Sequence, residues 1–509
     1  MRLQRRALLA AAAASPFVGL RAAHANRKPG QITFGLLVYP PNLLPWVHTG
    51  TAALTVKNLV YRGLLSFAPD GSVQAELAEH WAADGANAWV FRLRANAVFH
   101  NGKPVTSDDV KYMIEQVAAE RSNAYMRTEL QQIERVETPD ARTVRLVTKQ
   151  TIATLPLLFA MPHLGVVARG SADAGSTPVG AGPYSIRGQE RGSWIDLAAF
   201  DRYYKPGLPK SHTIRFVALP DDNARVAALQ AGDVDLIEYT PWASMATIDG
   251  DARLKQDNVF GPYMALGFNG AAGPFKDVRL RKAVGFAIRR DEVVQATLFG
   301  RGKVLQGVPI AEGTEFYNAQ MSRHWTYDPA RARALMAEAG VGEGFSCTLL
   351  SSGQIALHKS TAEIVQAQLG EIGIKVQLNL PDWATRVTLG GRGQYEFCVQ
   401  GQTADHNDPD GLSGVLNSDL GPNVSRSFGV PTPKLAKLFA DGRAELDQAK
   451  RRAIYAELER VALEEEVPMV ALCWRAQGYA MYRDVGGFTN LPAALTFYSG
   501  YTLETTQLG

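Results

Sequence analysis

Hydrophobic and polar positions along the chain change period repeatedly. Ile32, Phe34 and Leu36 alternate with their neighbours, which predicts a strand that Pro40-Pro41 ends. Trp89, Phe91 and Leu93 alternate against Arg92 and Arg94 in another strand, preceded by the turn Pro69-Asp70-Gly71-Ser72. Asn101-Gly102 predicts a tight turn that needs positive φ. After it, Thr106-Ser107-Asp108-Asp109 predicts a helix start, with a hydroxyl cap answered by the acid three residues on. Leu280, Ala283, Val284, Ala287 and Ile288 fall at helical spacing. Leu349-Leu350, a helix with Ile364 and Leu369, then Gly373 and the alternating Ile374, Val376 and Leu378 make a βαβ unit. A long helix with Ile454, Leu458 and Val461 precedes Val467-Pro468-Met469-Val470, a buried strand. The class is α/β, with no heptads and no internal repeat.

The N-terminus departs from this pattern. Met1-Arg2-Leu3-Gln4-Arg5-Arg6 leads into an Ala-rich run from Ala7 to Leu20, and Ala23-His24-Ala25 is a small-residue cleavage site. The run is about 14 residues, short of the roughly 20 that cross a bilayer. Residues 1–25 therefore read as a removable signal peptide, with Asn26 first in the mature chain. Arg5-Arg6-Ala7-Leu8-Leu9 also resembles a twin-arginine signal, so export before or after folding both remain open. No cysteine stands near the cleavage site, so a free protein outside the cytoplasmic membrane is expected rather than a lipoprotein.

Composition then narrows the class. Removing 25 of 509 residues leaves 484, enough for roughly three domains. With 46% apolar and 20% charged residues the chain is ordinary globular protein, which excludes disordered, collagen-like and disulfide-scaffold classes. The formal charge of +3 falls to −1 once the four signal-segment arginines go. With no basic run, nucleic-acid binding is excluded. Cys347, Cys398 and Cys473 are three, each beside apolar residues, and read as small buried hydrophobes, with one disulfide still possible.

Common catalytic constellations are missing. There is no H-E-x-x-H, no cysteine pair at zinc spacing and no G-x-S-x-G, and the nine histidines are scattered. Gly180-Ala181-Gly182-Pro183 starts like a dinucleotide loop but lacks the third glycine, and Pro183 removes an amide donor. Asn101-Gly102-Lys103-Pro104 lacks the upstream glycine of a phosphate loop. No catalytic residue, metal ligand or cofactor is assigned, and a non-enzyme is expected.

Read together, the same segments resemble family 5 of the extracellular solute-binding proteins, the receptors of ABC importers for dipeptides, oligopeptides and nickel. The resemblance runs through Asn58-Leu59-Val60-Tyr61-Arg62-Gly63-Leu64, Leu77-Ala78-Glu79-His80-Trp81 and Val98-Phe99-His100-Asn101-Gly102. It continues through Gly180-Ala181-Gly182-Pro183-Tyr184, Ala231-Gly232-Asp233-Val234-Asp235, Tyr327-Asp328-Pro329 and Asp405-His406-Asn407-Asp408-Pro409-Asp410. Ala75 and Asn101 depart from the usual proline and aspartate. The resemblance implies a bilobal periplasmic-binding-protein fold of the large, three-domain type, closing on ligand by a hinge. It places 1–25 as signal, 26–57, 178–262 and 482–509 as a discontinuous first lobe, 58–177 as a small inserted domain, and 263–481 as the second lobe. Asp70-Gly71 and Gly182-Pro183 then read as turns of the scaffold.

A cleft that encloses a polar ligand replaces its water with hydrogen bonds and meets its charges with countercharges. The turn-rich segment Gln400 to Asp410, after a short strand Phe397 to Val399, suits that role through Gln402, Thr403 and above all Asp405. In peptide-binding relatives an aspartate aligned with Asp405 pairs with the α-ammonium; Asp408 and Asp410 read as turn formers. Leu350 to Ile355 holds no arginine for a ligand carboxylate. Arg386, near Trp383, is the substitute, although a helix arginine there is more commonly solvated. Tyr39, Trp46, Trp242 and Phe268-Asn269, the last expected at the hinge, complete the candidates. The expectation is a monomeric periplasmic receptor for peptides or peptide-like zwitterions, with an ABC permease and ATPase as partners. A nickel chelate, opine or sugar ligand is the alternative, with only His406 in the cleft loop to favour metal; a secreted hydrolase is a remote one.

Overall fold

The computed structural model describes residues 27–172 and 177–509. The expected signal peptide, 1–25, and its expected cleavage site lie outside the described residues.

An eleven-stranded mixed sheet runs through the molecule. In its first half, Gln31–Leu36 pairs in parallel with both Thr213–Ala218 and Leu236–Glu238. Trp194–Ala199 and Tyr184–Glu190 extend that half as antiparallel strands. In the second half Phe345–Leu350 lies parallel to both Ile374–Asn379 and Phe397–Gln402. The βαβ reading is borne out, with the helix Ala356–Gly370 as its crossover.

Two long antiparallel strands, Leu254–Phe268 and Met469–Tyr482, join the halves. Their ends belong to different cores. Leu254 and Tyr479 to Tyr482 pack with Ile32, Phe34 and Leu236, whereas Tyr263 to Phe268 and Met469 to Cys473 pack with Leu349, Ile374 and Phe397. Each strand thus leaves one hydrophobic core and enters the other, and its middle residues bridge them. This puts Tyr479, Ala480 and Met481 in the first core.

Between Tyr61 and Val179 the chain adds a four-stranded antiparallel sheet, ordered Ala78–Ala83, Ala88–Leu93, Thr143–Thr148, Ile133–Asp140. The helix Ser107–Ala118 carries the predicted capping box between Thr106 and Asp109, and Gly102 has the φ of +82° its turn requires. Gly182-Pro183 is a bend, as read, and a further constraint acts on Gly180 and Gly182. A Cβ on them would come within 2.0 Å of the Val60 carbonyl and 2.2 Å of the Leu59 carbonyl, so they are glycines because two backbones touch. Nearby, the buried Arg62 guanidinium donates to Glu504 at 2.7 Å, and Lys205 reaches Glu76 and Glu504 at 2.8 Å each. That network ties the inserted segment to the C-terminal tail. Cys347, Cys398 and Cys473 are buried and unpaired.

Candidate ligand-binding cleft

Strand direction locates the site. Glu238, at the carboxyl end of its strand, pairs with Tyr479 on the segment of the crossing strand that leads toward the second core. Gln31–Leu36 and Thr213–Ala218 run the same way. In the second half Gln402, also a carboxyl end, pairs with Tyr263, where the other crossing strand comes from the first core. All the parallel strands of both halves therefore aim their carboxyl ends at one junction, the position where open α/β sheets hold ligands. The helices Ala356–Gly370 and Trp383–Gly391 begin there too, with the positive ends of their dipoles.

From the second half comes the loop after Gln402. The strand Phe397–Gln402 is three residues longer than the sequence suggests, so Gln402 is a strand end and Thr403 opens the loop. Gln402 donates to the Ser425 carbonyl at 3.2 Å. Asp405 Oδ1 accepts a hydrogen bond from Tyr125 of the inserted segment at 2.7 Å, and its carbonyl accepts from Tyr498 at 2.9 Å. No arginine or lysine pairs with Asp405 among the described residues, and burial raises its carboxyl pKa against the pull of Tyr125, His406 and His48. The rest of the loop is pinned elsewhere. Asp408 accepts from the Asp410 amide at 3.0 Å, as a turn former does, and pairs with Arg451 at 2.9 Å. Asp410 pairs with Arg443 at 2.7 Å. A cavity of about 280 Å³ opens behind Asp405, lined by Met126, Glu129, Ile152, Leu158 and Arg443 among others.

From the first half come Tyr39 and Trp242, both after strand carboxyl ends. Tyr39 is partly buried and donates to Gln189 at 3.2 Å. Trp242 donates to the Ala476 carbonyl on the crossing strand at 2.8 Å. On the opposite wall Trp383 is 40% exposed, with His358 edge-on to it at 5.4 Å.

Three candidates sit otherwise than the sequence suggests. Trp46 is buried in the first core, its indole N–H on the Gly165 carbonyl at 2.9 Å, because the loop folds back onto the inserted segment. Asn269 lies at the far end of its strand, beyond Phe268, which pairs with Phe397. There its amide donates to the carbonyls of Gly393 and Tyr395, at 2.8 and 2.9 Å. The strand crosses between cores near Tyr263, so its end is distal to the junction. Arg386 is not solvated: it is 3% exposed, donates to the Val399 carbonyl at 2.6 Å and packs on Trp383.

Sequence reasoning missed Tyr125, Tyr263, His358 and Arg475, all at the junction. A tyrosine or arginine inside a strand, such as Tyr263 or Arg475, reads as core or solvated face, and no local signal marks Tyr125 in its turn or His358 in its helix. It also missed that His48 and His163 stand close to Asp405, hydrogen-bonded to each other at 3.0 Å under the Tyr125 ring.

Comparison with known proteins agrees with this architecture. The middle region of the bacterial extracellular solute-binding proteins, family 5, matches residues 72–423. The glutathione-binding protein GsiB of Shigella dysenteriae is 25% identical over 91% of this chain and 92% of its own length. The structure of AgaA of A. tumefaciens R10 with agropinic acid superposes with a TM-score of 0.83 at 35% identity, covering 94% of this chain and 99% of that one. A dipeptide-binding protein of Pseudoalteromonas sp. SM9913 with Met-Leu shares the fold, at a TM-score of 0.79 and 19% identity, over 94% of this chain and all of its own. The match over most of its length and the similarity to AgaA establish that this chain is a member of family 5 of the bacterial extracellular solute-binding proteins.

Proposed function

We propose that the protein is a periplasmic receptor of an ABC importer that takes up peptides or other amino-acid-derived zwitterions, and that it is not an enzyme. The observation that carries this is Asp405: a carboxylate drawn out of bulk water at the junction, held by a tyrosine and, among the described residues, by no arginine or lysine. An ammonium arriving there supplies the missing countercharge and a charge-assisted hydrogen bond. Gln402, Thr403, Tyr39, Trp242 and Trp383 are the further candidates for ligand contact, with Arg386 packed behind Trp383. Ligand bridging the two halves draws them together, and the closed form is what the permease recognises. Among the described residues no helix is long and apolar enough to cross a membrane. The relatives that bind glutathione and a dipeptide support the zwitterion class.

A second reading, an opine acid, is favoured by the 35% identity to the agropinic acid-binding protein. Both readings are tested by thermal shift on residues 26–509 with glutathione, Met-Leu, the N-acetylated form of each, and agropinic acid. A ligand at 100 times its Kd adds roughly 2.7 kcal/mol of stability. The zwitterion reading expects a rise with free amines that acetylation abolishes. A rise with agropinic acid alone moves the assignment to opine acids, and no rise with any of them sinks both.

A further inference from the structure

Arg475 stands on Met469–Tyr482 where that strand crosses between the two cores. Its neighbour Trp474 lies edge-on to Tyr263 at 5.9 Å, and the next residue, Ala476, receives the Trp242 N–H at 2.8 Å. The pairing of the two crossing strands slips register here, between Phe260 and Tyr263. A slip of this kind bends the strand and re-aims its side chains.

The groups that feel the Arg475 charge are Tyr239 from the first half and Tyr263, Cys473 and His358 from the second. None is a carboxylate, and Arg475 forms no ion pair among the described residues. Its Nε is buried without a hydrogen-bond partner, as are the Tyr263 hydroxyl and His358 Nδ1. The buried arginines Arg281 and Arg290 are anchored differently. Each donates to several backbone carbonyls that hold the guanidinium in place. Leaving a guanidinium Nε and two other buried polar atoms without partners is costly, and a fold tolerates it where a ligand supplies the partner. His358 is neutral, since burial and the two flanking arginines, Arg386 and Arg475, push its pKa down to about 3. It therefore adds a hydrogen bond to the site and no charge.

We propose that Arg475 anchors a carboxylate of the bound ligand, with Tyr263 and His358 completing the site. This deepens the receptor reading and rests on it. Tyr263 feels the charges of both Asp405 and Arg475, so the proposed ammonium and carboxylate sites share it as a neighbour. A ligand that carries both an amine and an acid fits that pairing. The sequence has no arginine at Leu350 to Ile355 for this role because the crossing strand supplies it.

The test is calorimetric titration of wild type, Arg475→Gln and Arg475→Lys with glutathione, Met-Leu and agropinic acid, each as free acid and as carboxamide. Apo melting midpoints report folding, and Arg475→Gln is expected to melt no lower than wild type, since it removes a partly buried charge that has no ion pair among the described residues. Wild type should prefer acid over amide ~10- to 100-fold, and Arg475→Gln should lose that preference while binding amides as wild type does. Arg475→Lys should retain part of it. An Arg475→Gln protein that keeps the preference overturns the proposal, as does a wild type that binds acid and amide alike. In both cases the receptor reading survives because binding is still measured. If wild type binds no member of the panel in either form, the receptor reading and the anchor fall together.

Discussion

The Tyr125 hydroxyl donates to Asp405 Oδ1 at 2.7 Å, joining the inserted segment to the second half across 280 residues of chain. This bond holds the carboxylate that the proposed function assigns to a ligand ammonium. The ring of Tyr125 rests on His48 and His163, at 5.0 and 4.5 Å, so the hydroxyl is positioned by a packed aromatic cluster. A ligand ammonium competes for the same oxygen or takes the other one.

Asp405→Asn should separate binding from stability. Burial raises the folded-state pKa of Asp405 above its unfolded value, so its contribution is present below the unfolded value and lost as pH rises through the folded one. At pH 7 the asparagine variant should melt at or above the wild-type temperature. It should lose its response to free-amine ligands while agropinic acid binding is retained, as read by thermal shift. Tyr125→Phe removes a bond that lowers the Asp405 pKa, and NMR titration should find that carboxyl shifted further upward.

Glu238 and Glu459 make stability fall with rising pH. Glu238 is fully buried, its Oε1 accepts the Leu37 amide at 2.9 Å, and burial pushes its pKa up to about 7. Burial alone pushes Glu459 up to about 8. Both bind their proton more tightly folded than unfolded, so each contribution is complete near pH 4 and is lost as pH rises through 7 to 8. Glu238→Gln and Glu459→Gln should gain roughly 3 and roughly 4 kcal/mol over wild type at pH 8, and much less at pH 5. Denaturant melts at the two pH values check this; equal differences at both would remove the assignment.

Arg62→Met should break the first core's charge network. It strips the guanidinium from Glu504 and leaves Glu76 relying on Lys205 and Tyr204. Removing one member of a buried ionic network costs about 3–5 kcal/mol. The loss should show as a lower urea midpoint. Pairing the change with Glu504→Gln should cost less than the two separate losses combined, because Glu504, left with Lys205 and Tyr203, is no longer an acid short of its guanidinium.

Gly180→Ala should cost at least ~1–3 kcal/mol, because its Cβ would overlap the Val60 carbonyl and a main-chain shift is required. Gly250→Ala is the control: its φ is −75° and the nearest atom to an added Cβ lies at 3.5 Å. It should be neutral in the same melt.

The sequence by itself determined what is local. Period two in Ile32-Phe34-Leu36 and the capping pattern at Thr106–Asp109 depend on neighbours a few residues away, and each appears where it was read. The ordered motifs also carried the family and pointed to Asp405. Tertiary structure alone decided which charges meet. Arg386 reads like any helix arginine until the sheet behind it closes, and Asn269 reads like a hinge until the strand before it proves to traverse the second core. Trp46 becomes core only because Gly165, 119 residues later, offers its carbonyl. Arg475 differs from Arg281 and Arg290 in which carbonyls and carboxylates surround it, and those come from segments far apart in the chain. A side chain's periodicity records which face it occupies; whether its charge is satisfied there depends on partners that only the fold brings within a few ångströms.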